Sequence, residues 1–312
     1  MLIAPPRPLY CESIIVLVAG AIICSVPSHA YAQDSKPANF PLSLDGVYHE
    51  IETKYIFGFT EGSDIGAEGE TALESETNAQ IRRRHGGYSV VEQEFEFEGV
   101  ASQFFAYELS AHGTAHAISG VDGVDDLHRV NAGGLSTNLR YLLLGRGPES
   151  PVGLTVTAEP EWARVDGAAG VRTQSFASTF KILADTELIE NRLFAAVNLS
   201  YAPEVAKAAG DLEWSRSSTF GASTALAWRV SPKVALGGEI EYYQAYGSAG
   251  FGNFQGRALY VGPTLHVQAT HKIMFAAAFS TQVAGHDVGD DGRLDLVNFT
   301  RYRARLKLEY EF

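Results

Sequence analysis

The sequence predicts an all-β fold, a transmembrane antiparallel up-and-down β-barrel of about 12 strands. Three observations support this fold class. Apolar and polar residues alternate in one segment after another from Glu70 onward, the connections between segments alternate between short and long, and the chain ends on a two-faced strand with a terminal aromatic, Phe312. The alternation places successive side chains on opposite faces of each strand, one suited to lipid and one to a polar interior. A soluble sandwich of antiparallel sheets is the alternative architecture, which the length of the segments disfavours.

The first 32 residues predict a signal peptide. An apolar run from Ile14 to Cys24 follows the basic Arg7 and precedes Ala30-Tyr31-Ala32, which has the A-x-A pattern of a signal-peptide cleavage site. The run is shorter than the roughly 20 apolar residues that span a bilayer as a helix. A mature chain beginning at Gln33 has no cysteine, which suits an oxidising export route.

Charge excludes one class of function. The chain of 312 residues has a formal net charge of −13, and removal of the signal peptide leaves this balance unchanged because one basic and one acidic residue, Arg7 and Glu12, leave together. Nucleic-acid binding would require a basic surface, so it is not expected. The acidic residues are expected in the lumen or in the outer loops.

Residues 33–66 are predicted to form an N-terminal extension. The segment Tyr48 to Phe59 is apolar enough to be ordered, and the turn-forming run Thr60 to Asp64 follows it. If it were a barrel strand, the strand count would become odd, whereas single-chain bacterial barrels have even counts. We therefore predict a periplasmic or luminal extension that acts as a plug in or under the barrel mouth, and a barrel formed by residues 67–312.

The first two barrel strands predict an acidic stretch of the interior wall. From Val91 to Phe97, residues alternate with glutamates, so that the second strand carries four carboxylates on one face. The predicted acidic row of the lumen consists of Glu70, Glu74, Glu76, Glu92, Glu94, Glu96 and Glu98.

The following segments predict strands joined by alternating connections. Short turns are expected at Gly99 to Ser102, near 146, at Asp185 to Asn191, and near 231 and 271, and longer acidic or glycine-rich loops near 119, 166, 204, 248 and 286. Because barrels of this class have short periplasmic turns and longer outer loops, the alternation predicts the orientation. Pro160 predicts a bulge or a strand end, and the seventh strand is expected to end at Pro203.

The last segment, Tyr302 to Phe312, predicts the closing strand. Its inward face carries a basic row, Arg303, Arg305 and Lys307. Its outward face resembles the C-terminal signature by which Gram-negative outer-membrane proteins are recognised for assembly, and the residues of this signature are Leu306, Leu308, Tyr310 and Phe312. If the first and last strands pair, the basic row lies beside the acidic row. Two interpretations stay open, a structural ladder of cross-strand pairs and a transverse field that selects polar solutes.

Catalysis and metal binding have weaker support. Ser110, His112 and His116 share one predicted strand face, but no G-x-S-x-G motif is present, and inward serine and histidine are ordinary in a lumen. The two histidines lie about 13 Å apart along a strand, too far for one ion. The acidic loops at 121–126 and 287–295 do not have EF-hand spacing, so solvated charge is expected there. We predict no catalytic residue, no metal site and no cofactor.

The mature chain resembles proteobacterial outer-membrane β-barrel proteins grouped with phenol-degradation-pathway (MetA-like) transport proteins. The segments that carry the resemblance are Arg192-Leu-Phe-Ala-Ala-Val-Asn-Leu-Ser-Tyr201, Ala258-Leu-Tyr-Val-Gly-Pro-Thr-Leu265 and the terminal strand. The resemblance implies a barrel in the bacterial cell outer membrane and transfers no catalytic residue.

The sequence thus predicts a porin-like, narrow channel for passive diffusion of small solutes, because about 12 strands lie between the filled 8-stranded barrels and the open 16-stranded ones. The expected partners are outer-membrane lipid, the barrel-assembly machinery and an unspecified small solute. One alternative is a non-transporting structural or surface-interaction barrel, and a third is a lipid-modifying outer-membrane enzyme.

Overall fold

The computed structural model describes residues 52–147, 150–289 and 292–312. The predicted signal peptide and residues 33–51 of the predicted extension lie outside these ranges. No helix within them is long and apolar enough to cross a membrane. The strands are β1 (Thr71–Ile81), β2 (Gly87–Ser102), β3 (Phe105–Ser119), β4 (Leu127–Leu144), β5 (Val152–Val165), β6 (Arg172–Ile189), β7 (Leu193–Ala208), β8 (Ser215–Ser231), β9 (Val234–Tyr246), β10 (Phe254–Thr270), β11 (Ile273–Asp287) and β12 (Tyr302–Glu311).

The strands form one closed antiparallel barrel in which each strand pairs with its neighbours in sequence and β12 pairs with β1. The closing register runs from Ala72 opposite Glu311 to Ile81 opposite Tyr302. Beyond it, the backbone N–H of Phe312 donates to the carbonyl oxygen of Thr71 at 3.0 Å. Closure leaves no edge unpaired among the twelve strands of the described ranges. The predicted 12-stranded barrel is confirmed.

The two ends of the barrel differ in the length of their connections. One end, which we call the short-turn end, carries the connections 103–104, 145–151, 190–192, 232–233 and 271–272. The other, the long-loop end, carries the connections 82–86, 120–126, 166–171, 209–214, 247–253 and 288–301. The assignment of the short-turn end to the periplasm stays a prediction.

Prolines lie inside three strands, so the prediction that the seventh strand ends at Pro203 is wrong. Pro203 is opposite Ser218 of β8, but the register between β7 and β6 omits it. Pro160 is opposite Ser178 of β6 and is omitted from the register with β4, and Pro263 is paired with β9 but omitted on the β11 side. Proline has no N–H to donate, and each of these strands loses pairing on one side only.

Two predicted turns are also misplaced. The segment Asp185 to Asn191 was expected to turn, but β6 continues to Ile189 and the connection is 190–192. Gly99 to Ser102 likewise belong to β2, and the connection is 103–104. Pairing with the neighbouring strand overrides the local turn preference of these residues.

Large apolar side chains cover the outer surface of the barrel. Each strand contributes at least one that makes little contact with the rest of the protein, and one from each strand, in chain order, is Leu73, Phe95, Leu109, Leu139, Val152, Ile182, Val197, Leu226, Ile240, Val261, Phe275 and Leu308. The polar residues between them face inward. This surface has the chemistry of the lipid-facing side of a membrane barrel.

A lipid-facing position should reject charge according to its depth. Leu199 lies near the middle of β7 and is 43% exposed, whereas Val130 lies near the long-loop end of β4 and is 80% exposed. We expect Leu199→Arg to lower the free energy of unfolding by about 2–4 kcal/mol and Val130→Arg by about 0–1 kcal/mol. Urea titration of protein refolded into lipid vesicles measures both, and equal effects would contradict a membrane belt at Leu199.

Candidate functional site

Residues 52–66 cross the interior of the barrel in the half nearer the short-turn end. We call them the luminal segment. They contact all twelve strands by hydrogen bonds, ion pairs or packing, and one contacted residue from each strand, in chain order, is Glu74, Glu98, Glu108, Arg140, Thr155, Asp185, Asn198, Ser223, Glu239, Thr264, Met274 and Arg305. The segment therefore divides the lumen. Its action as a plug stays a prediction.

A buried ammonium anchors one side of the luminal segment. The Nζ atom of Lys54 lies 3.3 Å from a carboxylate oxygen of Glu74, 2.5 Å from Glu98 and 2.7 Å from Glu108, and its side chain is fully buried. Burial alone would lower the pKa of Lys54, but the three carboxylates outweigh it and hold that pKa well above its usual value. Lys54 is therefore charged and is held by β1, β2 and β3.

A buried carboxylate anchors the opposite side. Glu61 accepts from Arg140 on β4 at 2.8 Å and from Lys181 on β6 at 2.6 Å. Burial alone would raise the pKa of Glu61, but the two cations hold it well below its usual value. Arg146 forms a further buried pair with Asp185 at 2.8 Å, and Asp185 also accepts from Ser63.

Between these anchors the backbone approaches the wall closely. The N–H groups of Phe59 and Thr60 donate to the carboxylate of Glu239 at 3.1 and 2.8 Å. Gly58 has a φ of +97°, and a Cβ atom there would lie 2.7 Å from that carboxylate and 2.6 Å from Thr264. Glycine is required for this approach.

The predicted basic row and acidic row meet at the closure of the barrel, but not completely. Lys307 lies 2.5 Å from Glu74, 3.1 Å from Glu76 and 3.5 Å from Glu96. Arg305 lies 3.1 Å from Glu76. Arg303 instead pairs with a residue outside the predicted row.

On the inner face of the barrel, Arg303 pairs with Glu241 of β9 at 2.8 Å. It also lies over the ring of Phe59, 4.2 Å from its centroid. Glu70 precedes β1 and accepts from the backbone N–H of Ala67 at 2.5 Å. Arg303 and Glu70 were predicted to belong to the facing basic and acidic rows of the lumen. Each instead has a different partner close to it.

The inward row of β2 changes character along the strand. Glu98 and Glu96, nearer the short-turn end, contact Lys54 and Lys307. Glu94 accepts a hydrogen bond from Ser136 at 3.2 Å, and in the described part of the chain neither Glu94 nor Glu92 forms an ion pair with a lysine or arginine. These two carboxylates line a cavity.

The cavity has a volume of about 310 Å³ and lies between the luminal segment and the long-loop end. Tyr55, Phe59 and Glu61 of the luminal segment form one boundary, and residues 167–168 and 298–300 of the long loops form the other. Its wall includes carboxylates, guanidinium groups, hydroxyls and amides, so it suits a polar solute.

The connection 288–301 forms part of the boundary at the long-loop end. Asp295 is fully buried and accepts from the N–H groups of Val297 and Asn298 at 3.2 and 2.9 Å. Arg83 donates to the carbonyl oxygen of Val297 at 2.6 Å, and Phe299 packs against Tyr260. Burial raises the pKa of Asp295 to about 6 although these donors oppose the rise.

The residues considered for catalysis have other partners. Ser110 hydrogen-bonds Glu94, and Nε2 of His112 lies 3.3 Å from a carboxylate oxygen of Glu161. Nε2 of His116 lies 3.0 Å from the carbonyl oxygen of Gly167. The serine hydroxyl is thus directed to a carboxylate and not to a histidine.

Among the described residues, one group of three carboxylates is close enough to share a metal ion, namely Glu74, Glu98 and Glu309. The ammonium of Lys54 already contacts the first two, so a cation is in place there. The side chains of the predicted assembly signature, Leu306, Leu308, Tyr310 and Phe312, all lie outward.

Several residues that organise the lumen were not singled out from the sequence: Lys54, Glu61, Arg140, Lys181, Glu239 and Glu241. For Arg140 and Glu239 the alternation gave the inward direction but not the partner. The partners lie on the luminal segment, where no strand period fixes the direction of a side chain. The signal available in the sequence was the presence of charged residues in an otherwise apolar extension.

The chain belongs to the Family of unknown function (DUF6662), whose family model matches residues 49–312. No curated protein matches the sequence. The COG4313 outer membrane channel from Pseudomonas putida F1 is similar in fold, with a TM-score of 0.52 and 12% identity over 80% of this chain and 98% of that chain. The β domain of the Bordetella autotransporter BrkA has a TM-score of 0.50 and 12% identity over 78% and 100%. At these identities the similarity shows the fold alone.

Loss of the Lys54 ammonium should destabilise the protein strongly. Lys54→Met leaves three buried carboxylates without their shared cation, so we expect the free energy of unfolding to fall by about 3–5 kcal/mol. Lys272→Met, at an exposed turn, is the matched control and should change it by about 0.5 kcal/mol or less. Urea titration in vesicles gives both values. Lys54→Met combined with Glu98→Gln should lose less than the sum of the single changes, and simple additivity would argue against the ion cluster.

The connection 288–301 should be held most firmly at low pH. The raised pKa of Asp295 means that the folded protein binds more protons than the unfolded chain between about pH 4 and pH 6. The contribution of Asp295 to stability is therefore full below this window and falls as the pH rises through it. Hydrogen exchange at Val297 and Asn298, corrected for intrinsic rates, should show protection that declines from pH 4 to pH 6. Asp295→Asn should abolish the decline, and an unchanged decline would assign it to another group.

Proposed function

We propose that the protein is a narrow channel of the bacterial cell outer membrane, through which small polar solutes diffuse passively, and that the luminal segment restricts its bore. The observation that carries the proposal is the polar cavity of about 310 Å³ enclosed by the barrel wall. A barrel filled for stability alone would have packed side chains there. The outward apolar surface supports placement in a membrane, and the predicted periplasmic position of the short turns supports the orientation.

The luminal segment is the proposed restriction. It reaches every strand through ion pairs, hydrogen bonds and small apolar clusters around Tyr55, Phe57 and Ile65. The polar cavity lies beside it, on the side of the long loops. The segment narrows the lumen on the periplasmic side, and solutes pass beside it or after its displacement.

The outward row of the closing strand supports two proposed partners. Leu308, Tyr310 and Phe312 are 40%, 43% and 59% exposed and form one apolar stripe. We assign this stripe to recognition by the barrel-assembly machinery and then to contact with outer-membrane lipid. The phenol-pathway (MetA-like) grouping suggested by the sequence remains a proposal.

One observation favours a second candidate, a structural or surface-interaction barrel that transports nothing. The luminal segment contacts all twelve strands, and buried pairs hold it on opposite sides of the lumen. A segment tied in this way would close the bore permanently. The two candidates differ in whether ions pass.

Planar-bilayer recording of the refolded full chain separates them. We expect small unitary currents from the full chain and larger ones after deletion of residues 48–64, because the deletion removes the restriction. Shortening the connection 209–214, which does not line the cavity, is the control and should leave the conductance unchanged. Absence of current from both the full chain and the deletion variant, with folding verified by heat-modifiable migration, would reject the channel and favour the structural barrel.

A further inference from the structure

The carboxylates of the interior wall fall into two groups. The first group is compensated by ammonium groups of the chain itself: Lys54 contacts Glu74, Glu98 and Glu108, and Lys307 contacts Glu74, Glu76 and Glu96. In each case one primary ammonium donates to carboxylates from neighbouring strands. The ammonium groups of Lys54 and Lys307 thus show how the acidic wall binds a primary amine.

The second group lines the cavity beside Glu76, Glu96 and Glu108 of the first, and among the described residues none of its members has an ammonium or guanidinium group closer than 3.7 Å. Glu92 and Glu94 continue the same inward row of β2, and Glu159 faces them from β5. The three are near enough for their charges to repel one another. Glu159 has a cation only at a distance, Lys181 at 3.7 Å, and that ammonium contacts Glu61 more closely at 2.6 Å. Lysine and arginine side chains also line the cavity, but among the described residues only the longer contact of Lys181 with Glu159 pairs one of them with these three carboxylates.

A hydrogen-bond acceptor beside this group also has no partner. Asn138 lines the cavity and is 7% exposed. Its amide nitrogen donates to Glu108 at 2.7 Å, which directs the amide oxygen away from that glutamate, and among the described residues the oxygen has no hydrogen-bond partner. A buried acceptor without a donor is uncommon. Carboxylates together with a free carbonyl oxygen form a set that accepts N–H groups.

The spacing distinguishes an organic cation from a metal ion. Residues two apart on one strand, as Glu92 and Glu94 are, lie about 6.6 Å apart. Glu92, Glu94 and Glu159 do not form one of the described groups whose ligand atoms approach within 4.8 Å of one another. A single Ca²⁺ or Mg²⁺ ion requires oxygen ligands at about 2.0–2.6 Å. Separated acceptors instead suit a molecule with several N–H donors.

We propose that the cavity binds small organic cations with primary amino groups, held by Glu92, Glu94 and Glu159 with the amide oxygen of Asn138. This inference rests on the proposed function, because it names the class of solute that the channel admits. The amine contacts these carboxylates in the same way that Lys54 and Lys307 contact their own partners nearer the short-turn end. Dicarboxylates present acceptors where this group requires donors, and neutral solutes lack the positive charge.

Isothermal titration of the refolded full chain with 1,4-diaminobutane tests the proposal. We expect saturable binding that weakens about a hundredfold or more in Glu92→Gln/Glu94→Gln, since each of the two lost charge-assisted hydrogen bonds is worth about 1.5–3 kcal/mol and about 1.4 kcal/mol is tenfold. Glu190→Gln/Glu213→Gln removes two exposed charges outside the cavity and should bind like the unchanged protein. Succinate should not bind. Mg²⁺ at equal concentration should not displace the diamine, and displacement would assign the site to metal cations.

Asn138→Leu provides a second variant if the double glutamine variant does not fold. It removes the free acceptor and keeps every carboxylate, and we expect it to weaken diamine binding several-fold. Unchanged affinity in both lumen variants, no binding by the unchanged protein, or equal binding of succinate would overturn the inference. Unitary currents without diamine binding would leave the channel intact and reject only the solute class. Diamine binding without current would support the site and reject the channel.

Discussion

The interior of this barrel depends on the compensation of buried charge. A carboxylate or ammonium removed from water is costly unless an opposite charge and hydrogen bonds replace the lost hydration. Lys54 meets this condition for β1, β2 and β3, and Glu61 meets it for Arg140 and Lys181. The luminal segment and the wall thus each supply charges that the other requires. This mutual requirement, together with the apolar packing of Ile56 and Phe57 against β7 and β8, explains why a segment without strand or helix has a defined path through the lumen.

The same constraint explains the arrangement of the cavity. Where the luminal segment and β12 supply ammonium groups, the acidic row of β2 is neutralised locally. Farther along β2, Glu92 and Glu94 form no ion pair with a described lysine or arginine, and they line the cavity. One continuous alternation of residues on one strand therefore produces a structural half and a half available to a ligand. The difference between the halves comes from which parts of the chain approach them, since the glutamates themselves are of one type.

The fold was predictable from the sequence because period-two alternation is a local property. The strand count, the closure and the inward direction of Glu74 or Lys307 all follow from it. Strand ends at Pro203 and Asp185 were predicted wrongly because pairing with a neighbouring strand outweighs a local turn preference. The site was predicted only in part. Arg303 was expected beside the first strands and instead pairs with Glu241, since the choice among partners across a lumen depends on side-chain reach. The charge of Lys54 in an otherwise apolar segment was a local signal, but it did not identify the three carboxylates that bind it.

The closing strand has a consequence for the order in which the barrel can mature. Lys307 and Arg305, which neutralise Glu74 and Glu76 of the first strand, are among the last residues of the chain. Until β12 pairs with β1, Glu74 and Glu76 lack their ion pairs with Lys307 and Arg305. An open sheet is therefore penalised twice at one place, by unpaired strand edges and by uncompensated charge. Pairing of β12 with β1 and neutralisation of the interior charges therefore occur together. This coupling disfavours partly closed intermediates and makes the closed barrel resistant to opening between these two strands.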